Sequence, residues 1–143
     1  AIFAHMPVHG MAGIVLASGY KVRIRADRGF MPDVQLFLRG GRPIPSAGLD
    51  AGAPDLAVEV ISPSSGRYDR VEKQKGYAEI GVPEYWIVDP ERQTFERLVL
   101  DSPGTYRLAD ALAGDVTFAP ASLPDLVIDL GELWRLPEWF GRP

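Results

Sequence analysis

Asp55-Leu56-Ala57-Val58-Glu59-Val60-Ile61 is an almost wholly apolar run broken by one carboxylate. Such a run reads as a strand in the middle of a sheet, covered on both faces. Ser62-Pro63-Ser64-Ser65-Gly66 ends it, and Arg67 to Ile80 reads as a helix with Gly81 as its C-terminal stop. Tyr85-Trp86-Ile87-Val88 is a second buried strand, closed by Asp89-Pro90. A helix that crosses between two buried strands predicts an α/β sheet mixing parallel and antiparallel pairs.

Upstream, Tyr20 to Arg25 alternates apolar and basic side chains, the period of a half-buried strand with Lys21, Arg23 and Arg25 on one face. Asp27-Arg28-Gly29 reads as a turn and Asp33 to Leu38 as the partner strand, which predicts a hairpin. Ile14 to Leu16 is a short apolar strand candidate. Ala1 to Val8 reads as the last turns of a helix, ended by Pro7 and His9-Gly10. Gly40 to Pro54 holds four Gly and three Pro and reads as a surface loop. Downstream, Thr94 to Leu100 and Thr105 to Ala109 form a hairpin around Ser102-Pro103-Gly104. Leu126 to Leu130 is short and apolar. Leu133, Trp134 and Trp139 then fall near helical spacing, with Pro137 as a break.

A chain of 143 residues with 46% hydrophobic and 24% charged residues fits one domain with a real core, 1–143. It has no cysteine, which excludes a disulfide scaffold, a thiolate metal site and a cysteine nucleophile, and suits a reducing cytoplasm. No apolar run is long enough for a membrane span. A net charge of −4 argues against sequence-independent coating of DNA, yet suits a site where carboxylates hold a cation.

Glu59 is the sharpest chemical signal. An ionised carboxylate in an apolar strand is costly unless it is paired or holds a metal. Asp55 lies four residues earlier on the same face, ~13 Å away along an ideal strand, too far to share one ion. Asp33, on the neighbouring strand, could close on Glu59. Two carboxylates and a backbone carbonyl make an all-oxygen site suited to Mg²⁺ or Mn²⁺. A structural ion pair with Lys or Arg is the alternative. Asp69, Lys73 and Tyr77 recur every four residues and form one polar stripe on the helix, from which a lysine could lean back over the carboxylates. Lys75 faces another way. His5 and His9 have helical zinc-ligand spacing, interrupted by Pro7. Trp86, Trp134 and Trp139 read as packing residues.

Pro32-Asp33-Val34, the run Ala53 to Ser64, the Asp69–Lys73–Tyr77 stripe and Gly81-Val82-Pro83-Glu84-Tyr85-Trp86-Ile87-Val88-Asp89-Pro90 together resemble the Uma-two family of the PD-(D/E)xK nuclease superfamily. The resemblance runs from about Gly10 to Trp134. It implies a restriction-endonuclease-like core, a mixed β-sheet flanked by helices, with an extra C-terminal β-hairpin and helix. It implies Asp33 and Glu59 as ligands of Mg²⁺ or Mn²⁺, aided by a carbonyl near Val60 or Ile61. Lys73 would be the catalytic lysine, because Ile61 stands where the superfamily pattern places one. Asp55, Asp69 and Tyr77 would support these from behind. The implied reaction is hydrolysis of DNA; a homodimer partner would cover a sheet face left open by a missing N-terminal helix; the alternative is a weak or inactive relative acting through self-association or partner binding. Two departures are expected: an N-terminal segment cut short at a helix end, and Phe30 where the family carries an arginine.

Overall fold

The computed structural model describes residues 3–8, 11–17, 22–25, 28–38, 53–61, 67–102, 104–123 and 126–135. All of the expected Gly40 to Pro54 loop but its last two residues, the Ser62 to Gly66 stop, Lys21, His9 and Trp139 lie outside the described residues. Among the described residues, eleven strands and two helices follow in order: β1 (Phe3–Val8), β2 (Met11–Ala17), β3 (Val22–Arg25), β4 (Arg28–Phe30), β5 (Val34–Leu38), β6 (Leu56–Val60), α1 (Arg67–Glu79), β7 (Glu84–Asp89), β8 (Thr94–Ser102), β9 (Thr105–Ala113), β10 (Thr117–Phe118), β11 (Ile128–Asp129) and α2 (Leu130–Trp134).

Seven strands form one sheet in the order β1-β2-β5-β6-β7-β8-β9. Only β6 and β7 run parallel, with Glu59 opposite Ile87; the other neighbours are antiparallel. The parallel pair is the one bridged by α1, as the apolar strands and intervening helix predict. Gly81 follows the helix with φ 77°, a left-handed conformation open to glycine without penalty.

Three expectations fail. The N-terminal segment is not a helix end: Phe3–Val8 is a strand paired with β2, from Phe3 opposite Leu16 to Val8 opposite Met11. In a strand, His5 no longer has helical ligand geometry. The basic strand β3 does not pair with β5. It pairs with β4, so Arg28 and Gly29 lie in a strand rather than a turn, and β5 sits between β2 and β6. Alternation identified both strands correctly but could not say which edges meet; the long-range partner β2 was the stronger claimant on β5.

Strand alternation divides the core in two. On one face Ala57, Tyr85, Ile87 and Leu98 pack with Val22 and Ile24 of the β3–β4 ribbon and with Tyr77 of α1. On the other, Leu36, Leu56, Val58, Trp86, Val88 and Phe95 pack beneath Leu123 and Leu130 of the C-terminal segment. Trp134 borders that second cluster and donates from Nε1 to the Gly114 carbonyl at 2.9 Å. The same face buries an ion network. Arg97 engages Glu84, Asp110 (2.9 Å) and Ser122 (3.3 Å), and Trp86 Nε1 reaches Glu84 at 3.3 Å.

Helix α1 is mostly polar and docks by two means. Its C-terminal half buries Gly76, Tyr77 and Ala78. Ahead of these, three ion pairs join the helix to its neighbours: Arg70 to Glu96, Glu72 to Arg28 and the more buried Lys73 to Glu59. Phe30 packs edge-on against Tyr77, ring centroids 5.6 Å apart, and lies directly over Gly76. A Cβ at Gly76 would stand 2.5 Å from Phe30 Cε2. Alanine would add about 1 kcal/mol of helix propensity but overpack the contact by about 1–3 kcal/mol. Gly76→Ala should therefore lower the urea midpoint in the wild-type background and raise it in a Phe30→Ala background. The same sign in both backgrounds would refute the contact.

Candidate active site

The carboxylate expected to be exceptional is exceptional. Glu59 is buried near the C-terminal end of β6, on the face covered by α1. Tyr77 donates its hydroxyl to Glu59 Oε1 at 2.7 Å, and Lys73 Nζ stands 3.1 Å from Glu59 Oε2. Lys73 and Tyr77 are one helical repeat apart, so one face of α1 delivers both donors. Burial raises the Glu59 carboxyl above its ordinary pKa; Tyr77 and Lys73 pull it back, and the Asp33 charge pushes it up again. Burial, followed by the neighbouring Glu59 charge, pushes the Tyr77 phenol far up, so it stays a proton donor.

Asp33 sits at the end of β5 and brackets Glu59. Its backbone amide donates to the Val58 carbonyl at 3.0 Å, and its Oδ2 accepts from the Val60 amide at 2.7 Å. The two carboxylates thus lie against adjacent strand ends, as the sequence suggests. Asp55 is not with them. Its Oδ2 accepts from the Leu38 amide at 2.8 Å, which ties the other end of β6 to β5. Asp69 falls in the first turns of α1, but its side chain lies outside the described residues. Lys75 is exposed and lines a groove with Arg28, Phe30, Glu72 and Glu79, away from Glu59. Ile61 packs into the apolar cluster, so the lysine nearest Glu59 is the helical one.

One pair escapes the sequence reading. Arg70, one turn before Lys73, bridges to Glu96 of β8. Glu96 is registered with Ile87, which is itself registered with Glu59. The signal was present as a charged residue between Phe95 and Arg97, but its place in the row required knowing that β8 joins β7.

Among the described residues no three His, Cys, Asp or Glu side chains converge as a metal cage. Asp33 and Glu59 nevertheless fit a hard divalent cation. They offer only oxygen, and Mg²⁺ commonly takes one or two carboxylates while keeping waters and substrate phosphate oxygens. Glu59 is also a buried anion held at a raised pKa, a charge that a cation would relieve.

A carboxyl whose pKa is raised by folding binds its proton more tightly in the native state. Its contribution to stability is whole below the unfolded pKa and is lost as pH rises through the folded value. Glu59→Gln keeps an acceptor for Tyr77 and removes that loss. At neutral pH it should therefore raise the melting temperature. The gain in melting temperature should shrink towards pH 4 and below. A gain independent of pH, or a loss at neutral pH, would contradict this account of Glu59.

The comparisons bear on this geometry. The family model described as "Uma2: Putative restriction endonuclease" matches residues 1–131. No curated protein matches the chain. Among solved structures, a "putative nuclease belonging to DUF820" from Anabaena variabilis ATCC 29413 superposes with a TM-score of 0.61 at 19% identity. The alignment covers 84% of this chain and 66% of that one, so this chain spans just under two thirds of its solved relative. The likeness establishes a shared mixed α/β fold, here with the C-terminal hairpin and helix expected from the resemblance. With the family model covering nearly the whole length, the chain belongs to the Uma2 family.

Proposed function

We propose that this domain, residues 1–143, is a metal-dependent endonuclease that hydrolyses DNA phosphodiester bonds. The observation that carries the reading is the Glu59 carboxylate, buried beside Asp33 and attended by Lys73 and Tyr77. Family membership supports the reaction class, and the described helices include none long and apolar enough to cross a membrane. The absence of cysteine suits a cytoplasmic setting.

Asp33 and Glu59 would hold Mg²⁺ or Mn²⁺ at the strand ends. The bound cation would supply a water of lowered pKa and offset charge on the phosphate. Lys73 has the reach to orient that water or to meet the phosphoryl oxygens, because its ammonium already stands against the Glu59 carboxylate. Tyr77 fixes one Glu59 oxygen by donation and leaves the carboxylate ionised and aimed. Asp55 keeps β5 and β6 in register and so keeps Asp33 against Val58 and Val60. Asp69 would act from the start of α1.

The closed Glu59–Lys73 pair also favours a second reading, in which the pair is structural and the domain acts through self-association or partner binding. Cleavage of supercoiled plasmid separates the two. Wild-type protein with Mg²⁺ or Mn²⁺ should nick DNA, increasingly as pH rises through the elevated Glu59 pKa. Lys73→Ala should lose about 100-fold or more, and Glu59→Gln should lose cleavage while remaining folded. Cleavage by folded Glu59→Gln at the wild-type rate, or none by wild type with either metal, would overturn the nuclease reading.

A further inference from the structure

The mechanism above uses only part of a charged row that runs across the sheet beneath α1. Strand registry sets Glu59 beside Ile87 and Ile87 beside Glu96, all on one face, with Asp33 against the outer side of Glu59. Glu59 and Glu96 are therefore two strand spacings apart, about 10 Å. Each is met by a cation from the same helix: Lys73 meets Glu59, and Arg70, three residues earlier, meets Glu96. Residues three apart share a helix face. The two cations thus line one side of α1 in the same order as the two carboxylates line the sheet.

The two pairs differ in openness. Glu59 is 7% exposed and Lys73 23%, whereas Arg70 is 38% exposed and Glu96 28%. A pair as open as the second contributes little to folding. Its guanidinium retains donors beyond those Glu96 can take, in a fork that matches a phosphate. Arg97, by contrast, is 9% exposed and divided among Glu84, Asp110 and Ser122 on the opposite face. Arg28 is committed to Glu72 and to the ring of Phe30 on the far side of the helix.

We propose that Arg70 is a substrate-positioning residue that leaves Glu96 to bind a backbone phosphate of the DNA strand flanking the cleaved bond. The proposal rests on the nuclease reading and extends it along the row. An offset of about 10 Å is short enough for the contacted phosphate to belong to the stretch of strand beside the scissile one. Glu96 holds the guanidinium ready and gives it up to a second anion.

The test is anisotropy of a labelled DNA duplex titrated with salt at fixed calcium, alongside melting and calcium-binding measurements. Arg70→Ala should weaken binding several-fold for any sequence and reduce the magnitude of the log K against log salt slope by about 0.9, one phosphate contact. Arg70→Lys should restore most of the slope, and Glu96→Gln should tighten binding by freeing the guanidinium. Calcium affinity should stay at the wild-type value in all three. Wild-type binding with an unchanged slope in Arg70→Ala would overturn the proposal and leave the nuclease reading standing. A folded wild type that binds no DNA would overturn that reading, and the proposal with it.

Discussion

A carboxylate buried in a sheet must be answered by donors or abandoned to protonation, and the Glu59 side chain is answered by one helix. Tyr77 takes one oxygen and Lys73 the other, so the register of α1 on the sheet is set by polar contacts. An apolar stripe would not have done this, because the first half of α1 has none to offer. A hydrogen bond to a charged group contributes about 1.5–3 kcal/mol, and leaving such a group without one costs more. The Phe30–Gly76–Tyr77 stack then closes the helix against the β3–β4 ribbon. The covering of this face and the chemistry of the site share the same residues.

The sheet carries two buried ion clusters with opposite characters. On the C-terminal face, Arg97 is matched by two carboxylates and a hydroxyl, and the neighbouring charges hold its guanidinium protonated against the cost of burial. That arrangement is complete and reads as architecture. On the α1 face, the two carboxyl groups Glu59 and Asp33 meet one ammonium among the described residues, and the Glu59 carboxyl is pushed up by its burial and, to a lesser degree, by Asp33. Such an imbalance would suit a bound cation, and it supports the proposal that chemistry belongs on this face.

Much of this was legible in the sequence. The apolar run with a single Glu and the second buried strand were enough to assign the parallel β6–β7 pair and the crossing helix; the Asp69–Lys73–Tyr77 spacing allowed a lysine to lean back over Glu59, and the part of Tyr77 came from the family resemblance. That Asp33 could close on Glu59 followed from its place on a neighbouring strand. What failed was pairing at a distance. Residues 3–8 carry no strong period and Pro7 mimics a helix stop, so the segment reads as a helix end although it forms β1. The partner of β5 could not be chosen by alternation, because β2 and β3 both fit its pattern. The Arg70–Glu96 pair was hidden for the same reason: both residues look like ordinary surface charges until β8 is set beside β7.

The account turns on whether Asp33 and Glu59 together hold a divalent cation. Calorimetric titration of Mg²⁺ and Mn²⁺ into the folded protein, with the Asp33→Ala/Glu59→Ala double variant as control, measures this directly. The account predicts saturable binding of one ion that is absent from the folded double variant. Binding of equal strength in both, or none in the folded wild type, would contradict it.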